Sequence, residues 1–82
     1  MKTLDIIAGL QTLMPFYHDQ NGSHNYSEHD FLFAYPTDLP LSDEAIDKML
    51  ELGWFQDHPE RNYKEEFSPK DYRPDETWVC AL

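Results

Sequence analysis

Carboxylates are the most abundant ionisable side chains in this sequence, and their clearest spacing lies between residues 42 and 52. Asp43, Asp47 and Glu51 recur every four residues, and Glu44 follows the first of them. On a helix this spacing aligns the carboxylates on one face, about 6 Å apart along the axis. Such a row is suited to a cationic partner; the alternative is a solvated face that only keeps the chain in solution.

A second acidic row is needed if this surface imitates DNA. Duplex DNA carries one charge per about 1.7 Å of axis, so one helical row supplies less than about a third of that density. The sequence after residue 57 offers further carboxylates, among which Glu65, Glu66 and Asp71 are predicted to form the second row. The predicted partner-binding residues are therefore Asp43, Glu44, Asp47, Glu51, Glu65, Glu66 and Asp71.

The balance of charge limits the classes of partner. The 82 residues include 16 Asp and Glu against six Lys and Arg, for a formal net charge of −10. Small domains usually carry a net charge of magnitude about 2–8. Direct nucleic-acid binding is excluded, because phosphate contacts need Lys and Arg. Membrane association is also excluded, because anionic lipids should repel the chain and no apolar run approaches the roughly 20 residues of a membrane span.

Other reactive side chains do not form a recognisable site. His18, His24 and His29 have carboxylate neighbours, but their spacing matches no metal motif, so we predict no metal. The alternative, an accessory protein that binds metal through these histidines, predicts metal in the purified protein. Cys80 is the single cysteine and lies in an apolar segment without cations, which indicates a reducing cytoplasm and an unreactive thiol. The sequence thus predicts a non-enzymatic protein without a cofactor.

Two helices should position these groups. Apolar residues recur with helical period over 3–14, and Pro15 ends that segment. We expect a helix of the mature chain rather than a signal peptide, because polar residues interrupt it and no cleavage site follows. The second helix begins after the N-cap Ser42 and ends at Gly53, which is placed for a left-handed C-terminal cap.

A single α+β domain over residues 1–82 is predicted, in the order α-β-α-β-β. The two helices should pack on one face of a three-stranded, mainly antiparallel sheet. In the strand 30–35 we expect Phe31, Phe33 and Tyr35 to form a heavily apolar inner face.

The remaining strands, 54–57 and 76–82, should pair as a hairpin in which Trp54 and Trp78 belong to the core. Between them lies the long loop 58–75, which is either functional or mobile.

Exposed aromatic residues are a second candidate for partner binding. Tyr17, Tyr26, Tyr63 and Tyr72 lie in polar stretches, so some of them should reach solvent. Exposed tyrosines among carboxylates can bind Arg or Lys of a partner through cation–π contacts and hydrogen bonds. The alternative is that aromatic residues such as Tyr63 fold the long loop back onto the sheet.

The sequence MLELGWFQD at 49–57, followed by ETWVCAL at 76–82, resembles the end of many small phage and prophage proteins. Those proteins have a helix, Leu-Gly-Trp-Phe, an acidic turn and a short strand containing Trp; the segment 58–75 departs from this pattern. In size, acidity and single-domain character the chain is similar to phage-encoded inhibitors of host defence, especially anti-CRISPR proteins. This resemblance implies that the protein acts in the host cytoplasm, and it assigns no inhibitory residue.

These observations predict an inhibitor that competes for a basic, nucleic-acid-binding surface of a host protein, with a CRISPR–Cas effector as the leading candidate. The alternative is a small interaction or immunity-type domain that binds through exposed aromatics and uses its charge only for solubility. Salt should weaken the first kind of complex strongly and the second hardly at all.

Overall fold

The computed structural model describes residues 2–56 and 67–82, which form two helices and one four-stranded antiparallel sheet. The elements are α1 (Thr3–Leu13), β1 (Asn25–Glu28), β2 (Phe31–Ala34), α2 (Asp43–Glu51), β3 (Phe55–Gln56) and β4 (Trp78–Ala81). Short 3-10 helices span Met14–Phe16 and Pro69–Asp71, and the strand order is β1-β2-β4-β3. The predicted α+β class is confirmed. Neither helix in this part of the chain is long enough and apolar enough to cross a bilayer.

The prediction of three strands in the order α-β-α-β-β is wrong, because β1 adds a strand in the polar segment before β2. Glu28 lies opposite Phe31 in the β1–β2 pair, which leaves His29 and Asp30 as the turn of a hairpin. His29 adopts the left-handed conformation, with φ 55°. All four residues of β1 are exposed, so no apolar alternation marks this strand in the sequence.

β3 and β4 pair antiparallel, which confirms the predicted C-terminal hairpin, although β3 is only two residues long. Within the predicted loop 58–75, residues 58–66 lie outside the described residues. The rings of Phe67 and Tyr72 lie beside Trp78, with centroid separations of 5.6 Å and 6.2 Å. This part of the predicted loop is therefore folded onto the sheet.

Both helices pack on the same face of the sheet, where side chains from α1, α2, β2 and β4 share one core. Trp54 and Trp78 are among its largest fully buried residues, as predicted. Gly9 of α1 lies against the Trp54 indole, and a Cβ at this glycine would be 2.2 Å from the ring nitrogen. The same indole N–H donates to the carbonyl of Asp5 at 3.3 Å. The close approach of α1 therefore depends on a residue without a side chain.

β2 faces the core with the opposite side from the one predicted. Ala34 and Leu32 pack with the helices, whereas Phe31 and Tyr35 are 39% and 47% exposed. The strand register explains why this side of β2 faces the helices, because Ala34 lies directly opposite Trp78. A small side chain at that position leaves room for the indole beneath the helices. The aromatic side of β2 therefore belongs to the outer face of the sheet, away from the helices.

Candidate functional site

Signals at both ends of α2 fix the helix that carries the predicted acidic row. The Ser42 hydroxyl accepts the N–H of Ala45 at 3.2 Å, as expected for an N-cap. At the C-terminal end Gly53 adopts φ 91°, and the N–H of Trp54 donates to the carbonyl of Met49 at 3.0 Å. That bond is the long hydrogen bond of a Schellman motif. Both predicted boundaries of α2 are confirmed.

The four predicted carboxylates of α2 are directed away from the core. The buried positions of the helix are all apolar, and the acidic residues are all exposed. Across residues 2–56 and 67–82, no basic side chain forms a salt bridge with any of them. We call these four residues the acidic surface of α2: Asp43, Glu44, Asp47 and Glu51.

The predicted second row is described only at Asp71, because Glu65 and Glu66 lie outside the described residues. Asp71 is exposed, and its carboxylate accepts hydrogen bonds from the backbone N–H of Ser68 at 2.9 Å and from the Ser68 hydroxyl at 3.1 Å. These bonds close the 3-10 turn Pro69–Asp71. The carboxylate of Asp71 thus has a local structural role as well as its charge.

The turn that contains Asp71 packs beside α2. Tyr72 helps to hold it there, because its hydroxyl accepts the N–H of Leu41, just before the helix, at 2.8 Å. A signal for this turn is present in the sequence, since Ser68 and Asp71 have the three-residue spacing of a capping box. The position of the turn beside α2 could not be predicted from local sequence, because it depends on the hydrogen bond between Leu41 and Tyr72, which are 31 residues apart.

The other described carboxylates are distributed over the rest of the surface. Asp19 and Asp38 accept backbone hydrogen bonds that fix the segment between α1 and β1. Glu28 ends β1, and Asp75 lies in the turn before β4; both are exposed. The acidity is therefore not confined to α2, although that helix has four carboxylates in nine residues.

A second surface consists of four aromatic rings on the β1–β2 hairpin. Tyr26 stacks on Phe33 across the two strands, with centroids 4.9 Å apart and planes inclined by 15°. The ring centroid of Tyr35 lies 5.2 Å from that of Tyr26, and the ring centroid of Phe31 lies 6.3 Å from that of Phe33. We call these four residues the outer aromatic cluster. From the sequence, Phe31, Phe33 and Tyr35 were predicted to lie on the inner face of the sheet. β1, the strand that pairs with β2 and places Tyr26 beside them, was not predicted.

Tyr17 is buried, although it was a candidate for exposure. Its hydroxyl donates to the carbonyl of Tyr35, and its ring stacks on His24 with a centroid separation of 3.9 Å. Burial, together with the nearby Asp38 carboxylate, raises the pKa of Tyr17 to about 12. Tyr63 lies outside the described residues, so the described tyrosines with substantial exposure are those of the outer aromatic cluster.

The described residues do not assemble the other reactive groups into a site. Across 2–56 and 67–82, no group of three His, Cys, Asp or Glu side chains is arranged to hold a metal ion. The Nε2 of His29 lies 3.9 Å from a carboxylate oxygen of Glu28. The ring of His24 stacks on Tyr17, and the backbone N–H of His18 donates to the Asp38 carboxylate. Cys80 is fully buried, and burial raises the pKa of its thiol. That thiol is therefore protonated at neutral pH and shielded from solvent.

Comparison with protein-family models, with curated proteins and with solved structures found no match for this chain. Among the described residues, the acidic surface of α2 and the outer aromatic cluster are the two exposed groups of side chains suited to binding a partner.

Proposed function

We propose that this protein is a non-enzymatic inhibitor that binds a basic, nucleic-acid-binding surface of a host protein through the acidic surface of α2. The observation that carries the proposal is the exposure of four carboxylates on one capped helix, without a salt-bridge partner among the described residues. A CRISPR–Cas effector subunit, in the cytoplasm of the host cell, is the leading candidate partner. The inhibitor needs no cofactor and binds neither nucleic acid nor membrane.

The proposed mechanism is competition for the groove that the nucleic acid would occupy. Capping at both ends of α2 fixes the helix backbone that carries the carboxylates before binding, which reduces the cost of ordering that backbone. Opposite charge raises the rate of association, and apolar contacts formed afterwards limit dissociation. Asp71, on the turn beside α2, adds charge to the helical row. This addition matters because a single row is sparser than DNA.

Charge reversal on α2 tests the proposal. The tagged 82-residue chain is used to capture its partner from host lysate, and duplex DNA is then allowed to compete for that partner. Changing Asp47→Lys together with Glu51→Lys should weaken capture by orders of magnitude. Capture by the unchanged chain should also decrease sharply between about 50 and 500 mM salt.

Asp75→Lys is the matched control for Asp47→Lys. Both changes alter the net charge equally at an exposed aspartate, but Asp75 lies in the turn before β4 and not on α2. The control should retain most of the capture. Equal losses in the two single variants would point to net charge alone, and undiminished capture by the double α2 variant would refute the assignment of the site.

One observation favours a second candidate function, an interaction or immunity-type domain that binds through aromatic residues. Rings of the outer aromatic cluster are exposed on a surface that the helices do not cover. In that case the charge serves solubility, and capture should hardly respond to salt. Substitution of the rings would then abolish capture, while charge reversal on α2 would leave it intact.

A further inference from the structure

The outer face of the sheet is open over β1 and β2 but not over β4. The register places Tyr26, Phe33 and Val79 side by side on this face. Val79 is 3% exposed, whereas Tyr26, Phe31 and Tyr35 are between 39% and 47% exposed. Both helices lie on the other face, so their apolar side chains do not cover the rings. The hairpin thus presents a group of adjoining rings to solvent.

This open area has a carboxylate beside it and no cation within the sheet. Glu28 lies directly opposite Phe31, so its side chain is on the outer face beside that ring. The Glu28 side chain is 65% exposed, and none of the four described strands contains Lys or Arg. Aromatic faces next to a carboxylate match the guanidinium group, which stacks on rings and pairs with carboxylates at the same time.

We propose that the outer aromatic cluster binds an arginine-bearing segment of a partner protein. Guanidinium groups stack on the exposed rings of Tyr26, Phe31 and Tyr35, and the Glu28 carboxylate accepts their hydrogen bonds. The inference rests on the proposed function only in requiring a basic protein partner. Arginine suits the cluster better than lysine, because its planar group is weakly hydrated and an ammonium group is a strongly hydrated point charge.

A second copy of the chain is a poor occupant for this face. Each copy has a formal net charge of −10. A symmetric contact would also bring two Glu28 side chains to the same interface, without a cation from the strands to offset them. Like charges placed together in this way oppose association. A cationic segment removes that repulsion and covers the rings.

Two short peptides of equal charge test the inference on the 82-residue chain. The probes are acetyl-Gly-Arg-Gly-Arg-Gly-Arg-Gly-amide and its lysine counterpart, titrated into isotopically labelled protein by NMR. The arginine peptide should bind several-fold more tightly than the lysine peptide. Its largest chemical-shift changes should fall on β1 and β2. Equal affinities for the two peptides, or shifts centred on α2, would overturn the proposal.

Ring variants separate stacking from general charge attraction. Phe31→Ala combined with Tyr35→Ala should lower affinity for the arginine peptide by about tenfold, the loss expected for two exposed cation–π contacts. Phe31→Tyr combined with Tyr35→Phe preserves both rings and should bind as the unchanged chain does. Equal losses in the two double variants would contradict the proposal. Thermal unfolding followed by circular dichroism verifies that each variant is folded.

The α2 charge-reversal variant distinguishes failure of this inference from failure of the proposed function. With Asp47→Lys and Glu51→Lys in place, preference for the arginine peptide over the lysine peptide should persist. Loss of that preference would refute the role of the cluster, even if capture of the host partner still depends on α2. Conversely, capture that survives the α2 changes but fails in the ring variant would refute the proposed site and support the cluster.

Discussion

On the helix-covered face of the sheet, Trp54 and Trp78 are each 1% exposed, whereas on the opposite face Phe31 and Tyr35 keep 39% and 47% of their surface accessible. The inner indoles occupy space made by small neighbours: Gly9 on α1 admits Trp54, and the alanine opposite Trp78 leaves room for its ring. The outer rings lie beside one another, with centroids 4.9–6.3 Å apart. Similar side chains therefore have very different environments on two sides of one sheet.

The difference between the faces separates residues that stabilise the fold from residues available to a partner. Burial of apolar surface contributes roughly 25 cal/mol per Å², so rings buried on folding stabilise the folded chain. A ring that stays partly exposed after folding still has apolar surface that a partner can bury, and burial of that surface would stabilise the complex. The helix-covered face should therefore dominate stability, and the outer face should dominate binding.

Substitution of one ring on each face gives the largest expected contrast. Trp78→Ala removes a fully buried indole and should lower the free energy of unfolding by about 3–5 kcal/mol. Phe31→Ala removes a half-exposed ring and should cost about 1 kcal/mol, chiefly its contact with Phe33. Urea denaturation measures both values. Similar costs for the two variants would break the distinction between the faces.

The contact between Gly9 and Trp54 tests how tightly the covered face is packed. Gly9→Ala places a methyl group where the Trp54 indole already lies, so ring or helix must move. The expected loss in the free energy of unfolding is about 2–3 kcal/mol, against the gain that alanine normally gives in a helix. Gln11→Ala, at an exposed position of α1, is the control and should be close to neutral. A stabilised Gly9→Ala variant would contradict the packing described for α1.

Local signals explain what could be predicted from the sequence. α2 was predicted with both boundaries because Ser42 and Gly53 determine its ends through contacts within a few residues. The exposure of its carboxylates followed from the same helical period. β1 could not be predicted, since a four-residue exposed strand has no apolar pattern of its own and forms by pairing with β2.

The side of β2 that faces the core required information from another strand. Alternation in residues 30–35 separates two sets of side chains, but it does not say which set meets the helices. The large size of the rings favoured placing them in the core. In the structure the core side of β2 instead carries Ala34, which lies opposite Trp78 and leaves room for the indole. For the same reason the outer aromatic cluster was missed as a surface. Only Tyr26, in a polar stretch, indicated exposed aromatic residues there.

Tyr17 links the two faces and gives the covered side a pH dependence. Its buried hydroxyl donates to the backbone of Tyr35, whose ring belongs to the outer cluster. With a pKa of about 12 in the folded chain against an ordinary value near 10, the phenol remains protonated after the unfolded chain has lost its proton. The stabilisation is complete below pH 10 and is lost as pH rises through 12, with about 2 kcal/mol lost by pH 12.

Urea denaturation at pH 9, 10, 11 and 12 measures this pH dependence by comparing the unchanged chain with Tyr17→Phe. The variant lacks the phenol, so its free energy of unfolding should decrease less over the same interval. Its stability at pH 9 should be lower by about 1 kcal/mol because the hydrogen bond to the Tyr35 carbonyl is lost. Parallel curves for the two proteins would show that Tyr17 is not protected by the fold.

α2 also has two different sides, because its apolar residues pack in the core and its carboxylates face solvent. Removal of one of these charges should have the smallest effect on stability. Asp47 has like-charged neighbours at Asp43, Glu44 and Glu51, three or four residues away. Asp47→Asn should therefore raise the free energy of unfolding by about 0.5 kcal/mol at low salt, and this gain should disappear near 1 M salt. Asp75→Asn, the control in a turn, should change little. A destabilised Asp47→Asn variant would mean that this carboxylate supports the fold, and the acidic surface of α2 would no longer be a surface that folding leaves free for a partner.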